Sequence, residues 1–282
     1  MALSAYAITT LANVKEYMGI SVSTYDTVLE HCIDRASDLI DRYCNRNFRA
    51  RTRTNKLFWS DGSDTINLAE YPVTSVGRVC LGAVEALKVS NSSADAGYIT
   101  VRCNTGIMVL TVVGGANAGI TSFTLADYTD LDALETAIDS TGSGWSSTVL
   151  SNKGAFEAID LFDQGAFEAN DAEPFLEIPD LPLQDHEFFL DAERGVIHFD
   201  NQIERTCRIF ITYTAGWVQA DIPYSLEQAA IELAVNIYRK RKSDGGMKSE
   251  KLGDYSYTRF DTEGSIPPSV LFSIAPFRRL FV

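Results

Sequence analysis

The sequence predicts an α+β fold, with a small helical bundle body from the N- and C-terminal parts and a large inserted β-rich domain. Three observations predict it. Apolar residues recur at three- and four-residue steps in one long stretch near each end, the period drops to two between these stretches, and glycines punctuate the middle. With 282 residues, 45% hydrophobic and 22% charged, the chain can bury a sizeable core in one or two domains.

Residues 10–18 read as a short helix stopped by Gly19. Residues 24–44 form the clearest element. Val28, Leu29, Cys32, Ile33, Ala36, Leu39, Ile40, Tyr43 and Cys44 share one face, and Asp26, Glu30, Asp34, Arg35, Asp38, Asp41 and Arg42 lie opposite. Ser23 or Thr24 is expected to cap it. Alternation or apolar runs then predict strands at 57–59, 65–68, 98–102, 107–113, 155–162, 187–190, 196–200 and 206–213. One short helix interrupts them, with Leu131, Leu134, Ala137 and Ile138 on a face and Thr129 as the expected cap. Residues 223–242 form the second long helix, expected to be capped by Asp221 and to end in Arg239, Lys240, Arg241 and Lys242. The last stretch, 258–282, is apolar yet holds Pro267, Pro268 and Pro276, so an extended segment lying on some surface is expected. The expected division is 1–56 (body, first part), 57–220 (β-rich insert), 221–257 (body, second part) and 258–282 (tail). Short connections let the two long helices pack together.

The net charge of −14 is a regional property. Residues 121–200 carry eighteen acids against two bases, Lys153 and Arg194, a net of −16 that leaves +2 elsewhere. An acidic middle argues against a nucleic-acid reader. Five cysteines without a CxxC read as free thiols of a reducing compartment. No signal peptide or membrane span is read, and Asn91-Ser92-Ser93 is then a chance match to a glycosylation motif.

No catalytic, cofactor or metal site is predicted. His31, His186 and His198 have no ligand spacing, and the latter two are expected on strands. Gly142-Ser143-Gly144 is not a nucleophile elbow, and no phosphate or dinucleotide loop occurs. Asp127, Asp130, Asp132 and Glu135 cluster without the calcium-loop spacing or its central glycine. A solvated acidic surface is the plain reading. The basic residues Arg42, Arg46, Arg49 and Arg51, and Arg239, Arg241 and Lys242, follow the two long helices. They either complement helix dipoles or meet acidic faces of a neighbouring subunit or partner, with phosphate-backbone contact a third option.

Several phrases in order resemble the head–tail connector (adaptor, head completion) proteins of tailed phages. They are Ile8-Thr9-Thr10-Leu11-Ala12-Asn13-Val14-Lys15 followed by Tyr17-Met18-Gly19, then Ile40-Asp41-Arg42-Tyr43-Cys44-Asn45-Arg46-Asn47-Phe48, then Tyr71-Pro72-Val73-Thr74-Ser75-Val76. Tyr213-Thr214-Ala215-Gly216-Trp217, Ser249-Glu250-Lys251-Leu252-Gly253-Asp254-Tyr255-Ser256 and Pro276-Phe277-Arg278-Arg279 continue it. The resemblance covers about 8–80 and 205–280; the stretch between exceeds the connection expected in compact members.

The resemblance implies a non-enzymatic virion protein of the neck, made in the host cytoplasm, with no cofactor and no membrane contact. It implies a homo-oligomeric ring, a dodecamer, bound under the portal protein. Such a ring extends the DNA channel, passes double-stranded DNA without specific binding, and offers a platform to a stopper or tail-completion protein. It places Ile266, Pro267, Pro268, Phe272, Phe277, Arg278 and Arg279 at the portal. Alternatives are a stopper or tail-terminator ring, a carbohydrate- or ligand-binding β module within 57–220, and a hydrolase using paired acids.

Overall fold

A computed structural model describes residues 3–68, 70–93, 96–150, 152–170, 174–241, 249–252, 255–258 and 266–279, the hairpin 249–258 by its backbone only. The chain first forms α1 (Leu11–Met18) and α2 (Asp26–Cys44), then β1 (Arg51–Trp59), β2 (Thr65–Asn67) and β3 (Val73–Leu81). Next come β4 (Ala83–Asn91), β5 (Tyr98–Asn104), β6 (Ile107–Val113), β7 (Gly119–Thr124), α3 (Leu131–Ser140), β8 (Trp145–Val149), β9 (Gln164–Glu168) and β10 (Phe175–Pro179). It returns through β11 (Phe188–Asp191), β12 (Val196–Phe199) and β13 (Arg208–Ala215). It continues into α4 (Tyr224–Lys240), the hairpin β14 (Ser249–Leu252) and β15 (Tyr255–Thr258), and α5 (Pro268–Ile274).

The fold is α+β and is organised as three nested cores. The outermost joins both ends of the chain. Val14 of α1, Leu29, Ile33 and Ile40 of α2, Leu226 and Ala230 of α4, and Val270 and Ile274 of α5 are buried together. Burying each such Leu or Ile contributes roughly 1.5–3 kcal/mol, more than helix propensity supplies. The second core lies between the sheets β1-β13-β3 and β11-β12-β2, filled by Val79, Ile209, Ile211 and Tyr213 on one side and Leu68 and Ile197 on the other. The third lies between β7-β6-β5-β9 and β10-β4-β8, with α3 packed on β8. It buries Val101, Met108, Leu110, Leu87, Leu176, Leu134 and Ile138. The pairings in all these sheets are antiparallel.

The third core is inserted into the second through two adjacent strands of chain. Gly82 (φ +87°) turns β3 into β4, and the Asp180 N–H donates to the Gly82 carbonyl at 3.2 Å where the chain comes back. The middle is therefore two cores, where one β-rich insert was expected. The period-two pattern reports strands but not which sheet each joins.

Several local expectations are corrected. Residues 155–162 are not a strand; they form turns around the 3-10 turn Ala158–Asp160, because Ala158 and Leu161 plug the third core. His186 sits in a turn. Three caps differ. No side chain caps α2, whose first turn instead donates Asp26 N–H to the Ser23 carbonyl; α4 starts after Pro223 without a side-chain cap; and Asp130, not Thr129, caps α3 by accepting from Ala133 N–H at 2.8 Å. Residues 51–56 belong to a strand, since β1 runs its full length along β13. β4, β7, β8, β9 and β10 carried no strand reading in the sequence.

Candidate functional site

The outer and second cores meet in a seam of arginines. The chain leaves α2 through Asn45 in the left-handed conformation, and Phe48 and Arg49 run beside Trp217. Trp217 N–H donates to the Phe48 carbonyl at 2.7 Å, and Ala50 N–H to the Trp217 carbonyl at 3.0 Å. Gly216 permits this approach. Its φ is +103°, and a Cβ there would lie 2.7 Å from the Arg49 carbonyl carbon.

Arg46 is 5% exposed. Its guanidinium lies 3.6 Å from the Tyr71 ring centroid, with Phe48 and Trp217 at 4.9 and 5.1 Å, and it donates to the Tyr71 carbonyl. Arg49 donates to the Trp217 carbonyl at 3.1 Å, and Arg51 lies 3.6 Å from Asp41 and over the Tyr6 ring. Arg53 and Asn47 both bond Glu70. Burial draws the Arg46 and Arg49 guanidiniums below their ordinary range. Burial alone would raise Glu70, but the hydrogen bonds from Arg53 and Asn47 outweigh it and hold the carboxyl low. Asp41 is pushed up to about 6 by burial, against the pull of the Phe48 N–H and Arg51.

The basic contact candidates thus divide. Arg46, Arg49 and Arg51 turn inward to hold the seam. Arg42 is exposed beside Asp38 at 3.0 Å, and Arg239 and Arg241 are exposed at the end of α4. Lys242 lies outside the described residues.

The C-terminal candidates also divide. The segment expected to be extended is the short helix α5 over 268–274, because a proline at the first helical position costs no hydrogen bond and Val270 and Ile274 then drop into the outer core. Phe277 turns in against Phe48 and Trp217, with centroids 6.0 and 6.4 Å away. Arg279 N–H donates to the Cys44 carbonyl at 2.9 Å, and the Arg278 guanidinium lies 5.2 Å from the Tyr43 ring centroid. Pro268, Phe272 and Arg278 are exposed, Phe272 at 85%, while Ile266 and Pro267 are half-buried. Sequence reasoning named the segment but missed that it is also part of the core; the apolar pair Val270 and Ile274, four residues apart, was the available signal.

A second junction ties the third core to the second. Arg78 on β3 pairs with Asp160, which is 3% exposed, and Asn55 donates to the same carboxylate at 3.1 Å. Arg208 on β13 bonds Glu177 on β10 through both nitrogens, one at 2.9 Å, and Phe162 packs on Phe210 with centroids 4.6 Å apart. Asp160 and Glu177 therefore depart from the solvated acidic surface read from the sequence. Among the described residues, no group of three His, Cys, Asp or Glu is placed to hold a metal, and no helix is long and apolar enough to cross a membrane.

Residues 7–126 match the family model described as head completion protein. No curated protein matches the chain. Solved structures similar to it include "Neck of empty GTA particle computed with C6 symmetry" (TM-score 0.43, 14% identity) and "Virion of native gene transfer agent (GTA) particle" (0.42, 14%). A third is "Neck of native GTA particle computed with C12 symmetry" (0.39, 15%); each comparison covers 100% of this chain and 94% of the other. Over residues 7–126 the chain is thus similar to head completion proteins.

Proposed function

We propose that the chain is a structural, non-enzymatic adaptor of the virion neck. Copies form a ring bound under the portal protein, extend the DNA channel and present a platform to a stopper or tail-completion protein. The small helical bundle around α2 and α4 is the ring-forming body, and DNA passes without specific binding. The observation that carries this reading is the head completion match, which spans α1, α2 and the start of the nested β cores. The outward-facing side chains of α5 supply the portal contact in this reading, with Phe272 and Arg278 foremost.

Truncation before α5 is a poor test, because it would also strip Val270 and Ile274 from the core. Point changes separate the two roles. Phe272→Ala combined with Arg278→Ala is expected to weaken portal binding at least about tenfold while leaving the melting temperature within a few degrees. Unchanged portal affinity would sink the assignment of α5. Electron microscopy of the particle neck tests the ring itself.

A further inference from the structure

A groove of about 460 Å³ runs between α2 and α4. Leu39, Leu233 and Ile237, all buried or half-buried, give it an apolar floor, and the exposed Arg35 and Arg241 stand on its rim beside His31. No carboxylate lines it. Among the described residues neither Arg35 nor Arg241 forms an ion pair; Arg241 lies over the Tyr238 ring, 5.1 Å from its centroid. The complement of such a slot is a projecting aromatic ring with carboxylates around it. The ring enters the apolar floor and stacks on a guanidinium, and the carboxylates meet the cations.

The sheet β11-β12-β2 offers that complement on one face. Phe188, Leu190, Ile197 and Phe199 pack into the second core, so the residues alternating with them form the outer face. Phe189 stands on that outer face, 66% exposed, directly across from His198. Asp191 follows it two residues along the same strand, about 7 Å away and on the same side. The Arg194 beside Asp191 lies 3.8 Å off and is itself exposed, so it neutralises the carboxylate only weakly. Just past the paired residues the Asp200 N–H donates to the Glu187 carbonyl at 3.1 Å. The register therefore continues by one pair and sets Glu187 and Asp200 on the Phe189 side. Asp200 is exposed and, among the described residues, in no ion pair. No lysine or arginine occurs among the paired residues of these three strands.

We infer that the α2–α4 groove receives Phe189 of a second copy of this chain, with Glu187 and Asp200 of that copy meeting Arg35 and Arg241. Each copy then offers one groove and one acidic sheet face with its projecting ring, a head-to-tail contact of the kind that generates rings. The inference rests on the ring reading above and specifies its contact.

The test uses the full chain, with and without portal, followed by sedimentation and native mass spectrometry. Arg35→Glu with Arg241→Glu is expected to raise the concentration at which rings form by at least about tenfold, and Glu187→Arg with Asp200→Arg to do the same. Combining all four is expected to bring assembly back to within about threefold of the parent, which a general loss of folding would not allow. Phe189→Ala is expected to weaken assembly about tenfold without a change in its salt dependence. Rings that form equally well with the reversed groove or without the Phe189 ring, or a fourfold variant that stays defective while melting normally, overturn this contact and leave the ring reading standing. A parent chain that stays monomeric under both conditions overturns the ring reading and the contact together.

Discussion

The Arg46 guanidinium lies over Tyr71, 3.6 Å from the ring centroid, and donates to the carbonyl of that same residue. One side chain thereby fixes the loop before β3 to the end of α2, and it does so with Phe48 and Trp217 closing the other sides. A planar cation is required, since an ammonium cannot stack and bond at once.

Arg46→Lys is therefore expected to lower the unfolding free energy by about 2–3 kcal/mol, the scale of a desolvated cation–π contact plus a charge-assisted hydrogen bond. Arg46→Met keeps the volume and is expected to cost no more than Lys, because it buries no unsatisfied charge. Urea midpoints of the two variants check the order.

Asp160 anchors Arg78 and Asn55 across the junction of the second and third cores. Asp160→Ala leaves a half-buried guanidinium without its partner and is expected to cost about 3–5 kcal/mol. The loss is expected at the junction, so calorimetry should show the third core melting as a separate, earlier transition. A single transition at the parental temperature would contradict the role assigned to this pair.

The pH response should carry the mark of Asp41. Its folded value of about 6 lies above the ordinary 3.8, so the native state binds the extra proton between those values. The contribution to stability is full below about pH 3.8 and is lost as pH rises through 6, a negative slope in that window. Glu70 has the opposite sign, because its folded value is depressed and its contribution disappears as pH falls. Asp41→Asn retains an acceptor for the Phe48 N–H and is expected to flatten the slope between pH 4 and 6. Denaturation curves at half-unit pH steps read this directly.

The long helices were legible because a 3.6 period sustained over nineteen and seventeen residues fits an amphipathic helix and no strand or loop pattern. The seam was not. Arg46, Arg49 and Arg51 look like surface charge in the sequence, and the partners of the first two, Tyr71 and Trp217, lie 25 and more residues away. The inner strands failed for a related reason. In β4 the burial pattern does not alternate, since Ala86 and Leu87 are both buried between sheet neighbours, and residues 155–162 imitate alternation while serving as a plug. Capping was misread because Ser, Thr and Asp compete for the same backbone donors, and spacing alone does not choose among them.

Five cysteines offer a simple check on the three cores. Burial pushes Cys44 and Cys80 up to about 11 and Cys103 to about 12, and Cys32 is raised by burial as well. Only Cys207 is partly exposed. A thiol reagent at pH 7.5 is expected to modify one cysteine quickly in the native protein and all five in denaturant. Rapid labelling of Cys103 would mean that the third core opens readily.

The insertion at Gly82 and Asp180 has a consequence for how this chain diversifies. The outgoing and returning chains run side by side there, bridged at Cys80 and Pro182 and paired from Ala83 and Pro179 onward, so the length of what lies beyond is invisible to the strands on the body side. A lineage can lengthen, trim or swap that cassette while the body keeps its shape. The toll falls on Asn55, Arg78, Arg208 and Phe210, which each replacement must re-cover.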